Sequence, residues 1–71
     1  MAIEIRTMTA GNMWKILVKP GDPVAAGDTL FIMEVMKTEI PHTAPEGGTV
    51  SIVSIAEGDS VDADELAVVL E

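Results

Sequence analysis

The sequence predicts an all-β fold, a small β-sandwich or flattened barrel with an internal twofold relation. Three observations carry this. Residues 11–34 (GNMWKILVKPGDPVAAGDTLFIME) lie over residues 48–71 (GTVSIVSIAEGDSVDADELAVVLE) without a gap at a shift of 37 positions. Apolar residues alternate with polar ones over short runs, the period of a half-buried strand. Prolines at 20, 23, 41 and 45 leave no room for a long helix. The overlay matches Gly11/Gly48, Gly21/Gly58, Asp22/Asp59, Val24/Val61, Ala26/Ala63 and Glu34/Glu71, and keeps apolar positions such as Met13/Val50, Ile16/Val53 and Phe31/Val68 in step. A unit this short cannot bury its own apolar face, so the two copies must pack on each other.

Taken in order, a first short strand is expected near 3–6 and a second near 12–18, where Trp14, Ile16 and Val18 alternate with Lys15 and Leu17. Trp14 reads as a half-buried core residue. KPGDPV is a turn in which Pro20 presets φ and Gly21 takes the positive φ of a type II turn. A single step of strand is expected at Val24, then a strand over 29–34 and its hairpin partner over 38–42, which ends on His42, read as a surface residue. TAPEGG (43–48) turns the chain into the second copy. Strands near 49–55 and 65–70 follow, with the AEGDSV turn and a single step at Val61 between them. The acidic run EGDSVDADE (57–65) lacks the spaced ligands, central glycine and terminal glutamate of a calcium loop and reads as a solvated turn. Residues 35–47 stand outside the repeat.

With 71 residues the chain reads as one domain, 1–71, with a thin stability margin. It has no cysteine for disulfides or zinc, and its one histidine excludes a multi-histidine metal site. Stability must therefore come from the apolar core. A net charge of −8 repels phosphate backbones and anionic bilayers, so neither nucleic acid nor membrane is an expected partner. MAIEIRTMTAG has no basic n-region and no long apolar stretch, so a cytoplasmic protein is expected. No nucleophile–base pair or phosphate cradle is visible, and the chain does not read as an enzyme by itself.

The stretch FIMEVMKTEIPH (31–42) breaks a local rule. A two-residue hairpin needs positive φ at both central positions and favours Asn-Gly or Asp-Gly. Here Met36-Lys37 stands at the tip between β-branched Val35 and Thr38. Poor turn chemistry without structural gain marks a functional site. A protruding lysine amine can be acylated, which removes its charge and creates a tether. Glu34 and Glu39 would flank it as solvated carboxylates. Met36 would either plug the core or offer an adaptable apolar contact to a partner.

EVMKTEI resembles the Glu-x-Met-Lys attachment motif of biotinyl domains in the biotin carboxyl carrier family. The two xGDxV turns, APEGGTV and AGNMWKILVKPGD extend the likeness over nearly the whole chain, and it is similar above all to stand-alone biotin/lipoyl attachment proteins. The resemblance implies a flattened eight-stranded barrel-sandwich hybrid with pseudo-twofold symmetry and the attachment lysine on an exposed β-hairpin. It implies biotin on Lys37, with Glu34, Val35, Met36 and Thr38 as flanking motif positions. It implies a biotin protein ligase, a biotin carboxylase and a carboxyltransferase as partners, in a carboxylase of the acyl-CoA type such as the acetyl-CoA carboxylase of fatty acid biosynthesis, with the isolated carrier a monomer. Thr38 departs from the family's usual second methionine, and Val35 from its usual Ala or Ser. Lipoyl domains carry Asp rather than Met before the lysine, so Met36 favours biotin. A lipoyl carrier of a 2-oxo-acid dehydrogenase or glycine cleavage system, and an unmodified interaction module, are the alternatives.

Overall fold

A computed structural model describes residues 2–71; Met1, the first residue of the expected domain, lies outside them. Eight strands follow in order: β1 (Ile3–Arg6), β2 (Gly11–Ile16), β3 (Pro23–Val24), β4 (Thr29–Val35), β5 (Thr38–Thr43), β6 (Gly48–Val53), β7 (Ser60–Val61) and β8 (Leu66–Leu70), with no helix among the described residues. They form two four-stranded antiparallel sheets, ordered β1-β8-β6-β3 and β5-β4-β2-β7. The ladders stay in two sheets, so the sandwich half of the expectation describes the packing better than the barrel half. β2 and β6 each stop two residues short of the expected ends, at Ile16 and Val53, before the chain enters the Gly21 and Gly58 turns.

The repeat reaches further than 11–34 over 48–71. Shifted by the same 37 positions, the pairing of Ile3 with Leu70 becomes that of Ile40 with Met33, and Glu4 with Val69 becomes Pro41 with Ile32. The β-bulge between Met13 and Lys15 recurs between Val50 and Ile52. β5 is therefore the copy of β1, and residues 38–47 belong inside the repeat rather than outside it. Val35, Met36 and Lys37 link the two copies. The sequence hid this because Ile3-Glu4-Ile5-Arg6-Thr7 and Ile40-Pro41-His42-Thr43-Ala44 share one identity.

Four turns fasten the halves together. In Lys19–Asp22, Ala25–Asp28 and Ala56–Asp59 the last residue's amide donates to the first residue's carbonyl at 3.1 Å, with Gly21, Gly27 and Gly58 supplying the positive φ. In each, and in Asp62–Glu65, the last residue's carboxylate accepts from the first residue's amide: Lys19 N to Asp22, Ala25 N to Asp28, Ala56 N to Asp59 and Asp62 N to Glu65, at 2.9–3.0 Å. The acids of the run are thus exposed, as expected, but Val61 within it is buried and two of the acids brace backbone turns. Where the first copy has Gly27 the second has Asp64, held at φ 59°. The buried Thr7 hydroxyl steadies that turn, donating to the Asp62 carbonyl and accepting from the Glu65 amide at 2.9 Å.

The turns also reach across. Gly21 N donates to Val50 O (2.7 Å) and Val50 N to Asp22 O (2.9 Å); the symmetry mates are Gly58 N to Met13 O (2.7 Å) and Met13 N to Asp59 O (2.8 Å). Each copy's turn thereby caps the other copy's strand. Between the sheets lie Met13, Leu30, Phe31, Met33, Val50, Val68 and Leu70, all essentially inaccessible to water. Each such side chain contributes about 1.5–3 kcal/mol.

Two readings are corrected. His42 is not on the surface: it is 5% exposed and stacks on Phe31 with ring centroids 4.5 Å apart. Its symmetry mate is the buried Ile5, so the position is built for the interior. Its Nδ1 faces the Ile40 carbonyl and its Nε2 the Met8 amide, both at 3.4 Å, which suits the neutral Nδ1–H tautomer. Trp14 is not half-buried in the core: it sits in the β2 bulge and is exposed.

Truncating Asp59 to Ala, or its mate Asp22, is expected to cost about 1 kcal/mol in either case, read from urea titrations. Burial lowers the His42 pKa, against a smaller raising effect of the Ile40 carbonyl. Below the ordinary value of 6.5 the unfolded chain therefore binds the extra proton first. This contribution to stability is whole above that pH and is lost as pH falls from there toward the folded value. A His42→Ile variant, copying Ile5, should show a smaller drop in urea midpoint than wild type between about pH 7.5 and 5.5.

Candidate functional site

β4 and β5 are paired from Thr29–Thr43 up to Val35–Thr38, which leaves Met36 and Lys37 as the two-residue connection. Their φ angles are 50° and 64°. Both lie in the left-handed region that a type I′ turn demands, a region that costs a residue with Cβ roughly 1–2 kcal/mol. The strain is sustained because seven residues of β4 and six of β5 clamp the turn from below. The anchor is Val35, half-buried and packed on the core. Gly11, at the start of β2, abuts it: a Cβ there would lie 2.7 Å from Val35 Cγ2 and 2.8 Å from the Glu34 carbonyl. Glycine at this point lets β2 run tight under the base of the hairpin.

Above that base everything is in water. Met36 is 93% exposed, which removes the reading of it as a core plug. Lys37 and Thr38 are also exposed. Glu34 and Glu39 are exposed partners across the ladder, a like-charge pairing that disfavours the hairpin slightly. Neither closes on Lys37: the ion pair found among the described residues joins Arg6 to Glu4, 2.9 Å apart. The ammonium thus stands at the tip without a carboxylate to displace, on a turn held by the paired strands below it. An enzyme can approach it from several sides and join a carboxyl group to it as an amide.

All five motif positions read from the sequence converge on this hairpin. Glu34, Met36, Lys37 and Thr38 form its solvated end, and Val35 its half-buried root. Gly11 was visible as a repeat identity, but its role beneath the tip was not. The signal would have been the pairing of β2 with β4, which no local pattern encodes.

A family model described as "Biotin-requiring enzyme", for biotin/lipoyl attachment, matches residues 2–70. The "Biotinylated protein TB7.3 homolog" of Mycobacterium leprae is 37% identical over 70 residues, 99% of each chain. The "Biotin/lipoyl attachment protein" of Bacillus subtilis is 43% identical over 60 residues, 84% of this chain and 82% of that one. Among solved structures, the Kluyveromyces lactis urea carboxylase superposes with a TM-score of 0.93 at 35% identity, covering all of this chain and 6% of that enzyme. The chain is thus similar to two short proteins over most of their length and to a small part of one large carboxylase. Fold, hairpin and sequence agree: this chain belongs to the biotin/lipoyl attachment family, as a biotinyl domain.

Proposed function

We propose that Lys37 is the attachment point for biotin, and that the chain is a carrier taking a carboxyl group from a biotin carboxylase to a carboxyltransferase, with an acyl-CoA as the acceptor. The observation that supports this most is the placing of Lys37: an unpaired amine at the summit of a strained, clamped turn. When bound, biotin supplies a ring that accepts and releases the carboxyl group. The chain's own residues do the rest. Lys37 holds the tether, and its acylation takes the net charge from −8 to −9. The rigid β4–β5 hairpin presents the tether at an effective concentration of order mM to a docked active site. Glu34 and Glu39 keep the tip hydrated and match basic rims on enzymes that bind it briefly. Exposed Met36 offers the one adaptable apolar contact beside the amine.

On this reading the chain is not itself an enzyme. Residues 1–71 act as one domain, loaded by a biotin protein ligase in the cytoplasm. A net charge of −8 favours a monomer through self-repulsion.

Co-expression with a biotin protein ligase should add the mass of one biotinyl group, and Lys37→Ala should abolish the gain. A gain with lipoate ligase alone would favour the lipoyl reading, and a gain with neither would leave an unmodified interaction module. The turn adds a second expectation. Lys37→Gly places at φ 64° the residue that tolerates it, so the variant should lose all biotinylation yet be more stable than wild type by about 1 kcal/mol in urea.

A further inference from the structure

Gly11 and Gly48 are copies of each other, and backbone presses close on both. A Cβ on Gly11 would lie 2.8 Å from the carbonyl oxygen of Glu34; one on Gly48 would lie 3.0 Å from the carbonyl oxygen of Glu71, the copy of Glu34. Neither glycine has a positive φ, so close approach, and not conformational freedom, is what excludes a side chain. The carbonyl contact is common to both halves and belongs to the fold. The difference lies one residue further on. At Gly11 the nearest atom of all is Val35 Cγ2, at 2.7 Å; at Gly48 the nearest side-chain atom is Leu70 Cβ, at 3.6 Å, an ordinary contact. Of the pair, only Gly11 bears on the root of the hairpin.

Val35 ends β4 and is paired with Thr38, which begins β5, so Met36 and Lys37 stand on this pair. Left-handed backbone at two residues with a Cβ persists only where the surroundings over-determine it. The tip offers no such surroundings, because Met36, Lys37 and Thr38 are all in water. The constraint has to come from beneath, from Val35 seated between the core and Gly11. Nor can β2 retreat to make room for a side chain at 11. On its far side Gly11 is paired with buried Val61 of β7, and Asn12 is paired with both Ser60 and Glu34. Carbon atoms in contact settle at about 3.5 Å or more, so a methyl at 11 must push something by the better part of an ångström. What it meets is the β-branched Val35, stiff about χ1, and the Glu34 carbonyl. Either movement falls at the root of the turn.

We propose that Gly11 is a positioning residue for the acylation of Lys37: by letting Val35 lie close, it holds the Met36-Lys37 turn in the left-handed form in which a biotin protein ligase takes up the amine. Gly11 acts through Val35, not on the amine itself. In the step it serves, the Lys37 ammonium loses one proton and the free amine attacks the carbonyl carbon of biotin activated as an acyl phosphate. The N–C bond forms, the bond from that carbon to the phosphate oxygen breaks, the phosphate leaves with the electron pair, and the nitrogen gives up a second proton to solvent. A turn already in its bound form spares the enzyme the cost of ordering it. Misplacing the attacking atom by about 1 Å can cost on the order of a hundredfold. The inference rests on the reading of Lys37 as the biotin site.

The test acylates the whole chain by two routes, with the extent at Lys37 read by peptide mass. One is a biotin protein ligase. The other is the N-hydroxysuccinimide ester of acetic acid, which needs an accessible amine and no particular turn. Gly11→Ala should lower kcat/KM for the ligase about tenfold or more and leave the small ester's rate at Lys37 within about twofold. It should also move the Cα and Cβ carbon shifts of Met36 and Lys37 from left-handed values toward those of a free chain. Gly48→Ala is the control: it meets its own carbonyl and loses stability, yet ligase rate, ester rate and carbon shifts should stay as in wild type. Rates are taken at a temperature where each variant gives the spectrum of the folded domain. If Gly11→Ala melts below it, the same substitution is made together with Asp64→Gly, which relieves a φ of 59° at a residue bonded to Thr7 and Arg6 rather than to the hairpin. Wild-type ligase kinetics or unmoved carbon shifts for Gly11→Ala, an equal loss for Gly48→Ala, or an equal loss with the small ester would each overturn the positioning role. A wild type that gains one biotinyl group, and loses the gain on Lys37→Ala, keeps the attachment site under any of these results; no gain in wild type removes that site, and the positioning role with it.

Discussion

The structure depends on a reciprocal exchange of hydrogen bonds between two half-chains. The turn at Gly21–Asp22 caps Val50, and the turn at Gly58–Asp59 caps Met13. Neither half can satisfy its strand backbone or cover its apolar face without the other. The glycines and aspartates of these turns are fixed by this exchange: positive φ for the amide that crosses over, and a carboxylate to hold the turn that presents it. With no disulfide and no helix among the described residues, this latch and the core it encloses have to hold the domain.

The same symmetry sets apart the hairpin proposed to carry biotin. Every strand has a counterpart 37 positions away, and Val35, Met36 and Lys37 stand where one set of strands passes into the other. The hairpin is what two matched halves require to be joined in one chain, and its summit is the part of the molecule the core constrains least by contact and most by geometry. Left-handed backbone at Met36 and Lys37 would relax in a free peptide. Here the ladder below forbids it. A rigid stalk with a free amine follows from topology rather than from any side chain reaching out to hold the lysine.

Much of this was legible beforehand because it is written in short-range chemistry. Strand alternation, Pro20-Gly21, the Gly58-Asp59 copy and the poor turn residues at 36 and 37 all act within a few positions. What stayed hidden depended on the pairing of distant strands. His42 follows a proline on an edge strand and reads as surface; only when the repeat is carried out to Ile5 does its place become interior. Trp14 reads as core by its size and strand period, yet a bulge turns it outward, and the serine at its mate was the available sign. Glu65 reads as a solvated acid because the amide it receives lies three residues back in a turn whose type, at Asp62–Glu65, was not assigned.

Native-state hydrogen exchange tests the central claim most directly, because it reads the latch and the tip in one experiment. If the two halves hold each other, the amides of Met13, Gly21, Val50 and Gly58 exchange only through global unfolding and report one common free energy. The Lys37 amide, at the solvated summit, exchanges near the rate of an unfolded chain. Separate, lower opening energies for the Gly21–Val50 and Gly58–Met13 pairs, or a protected Lys37 amide, would contradict the account.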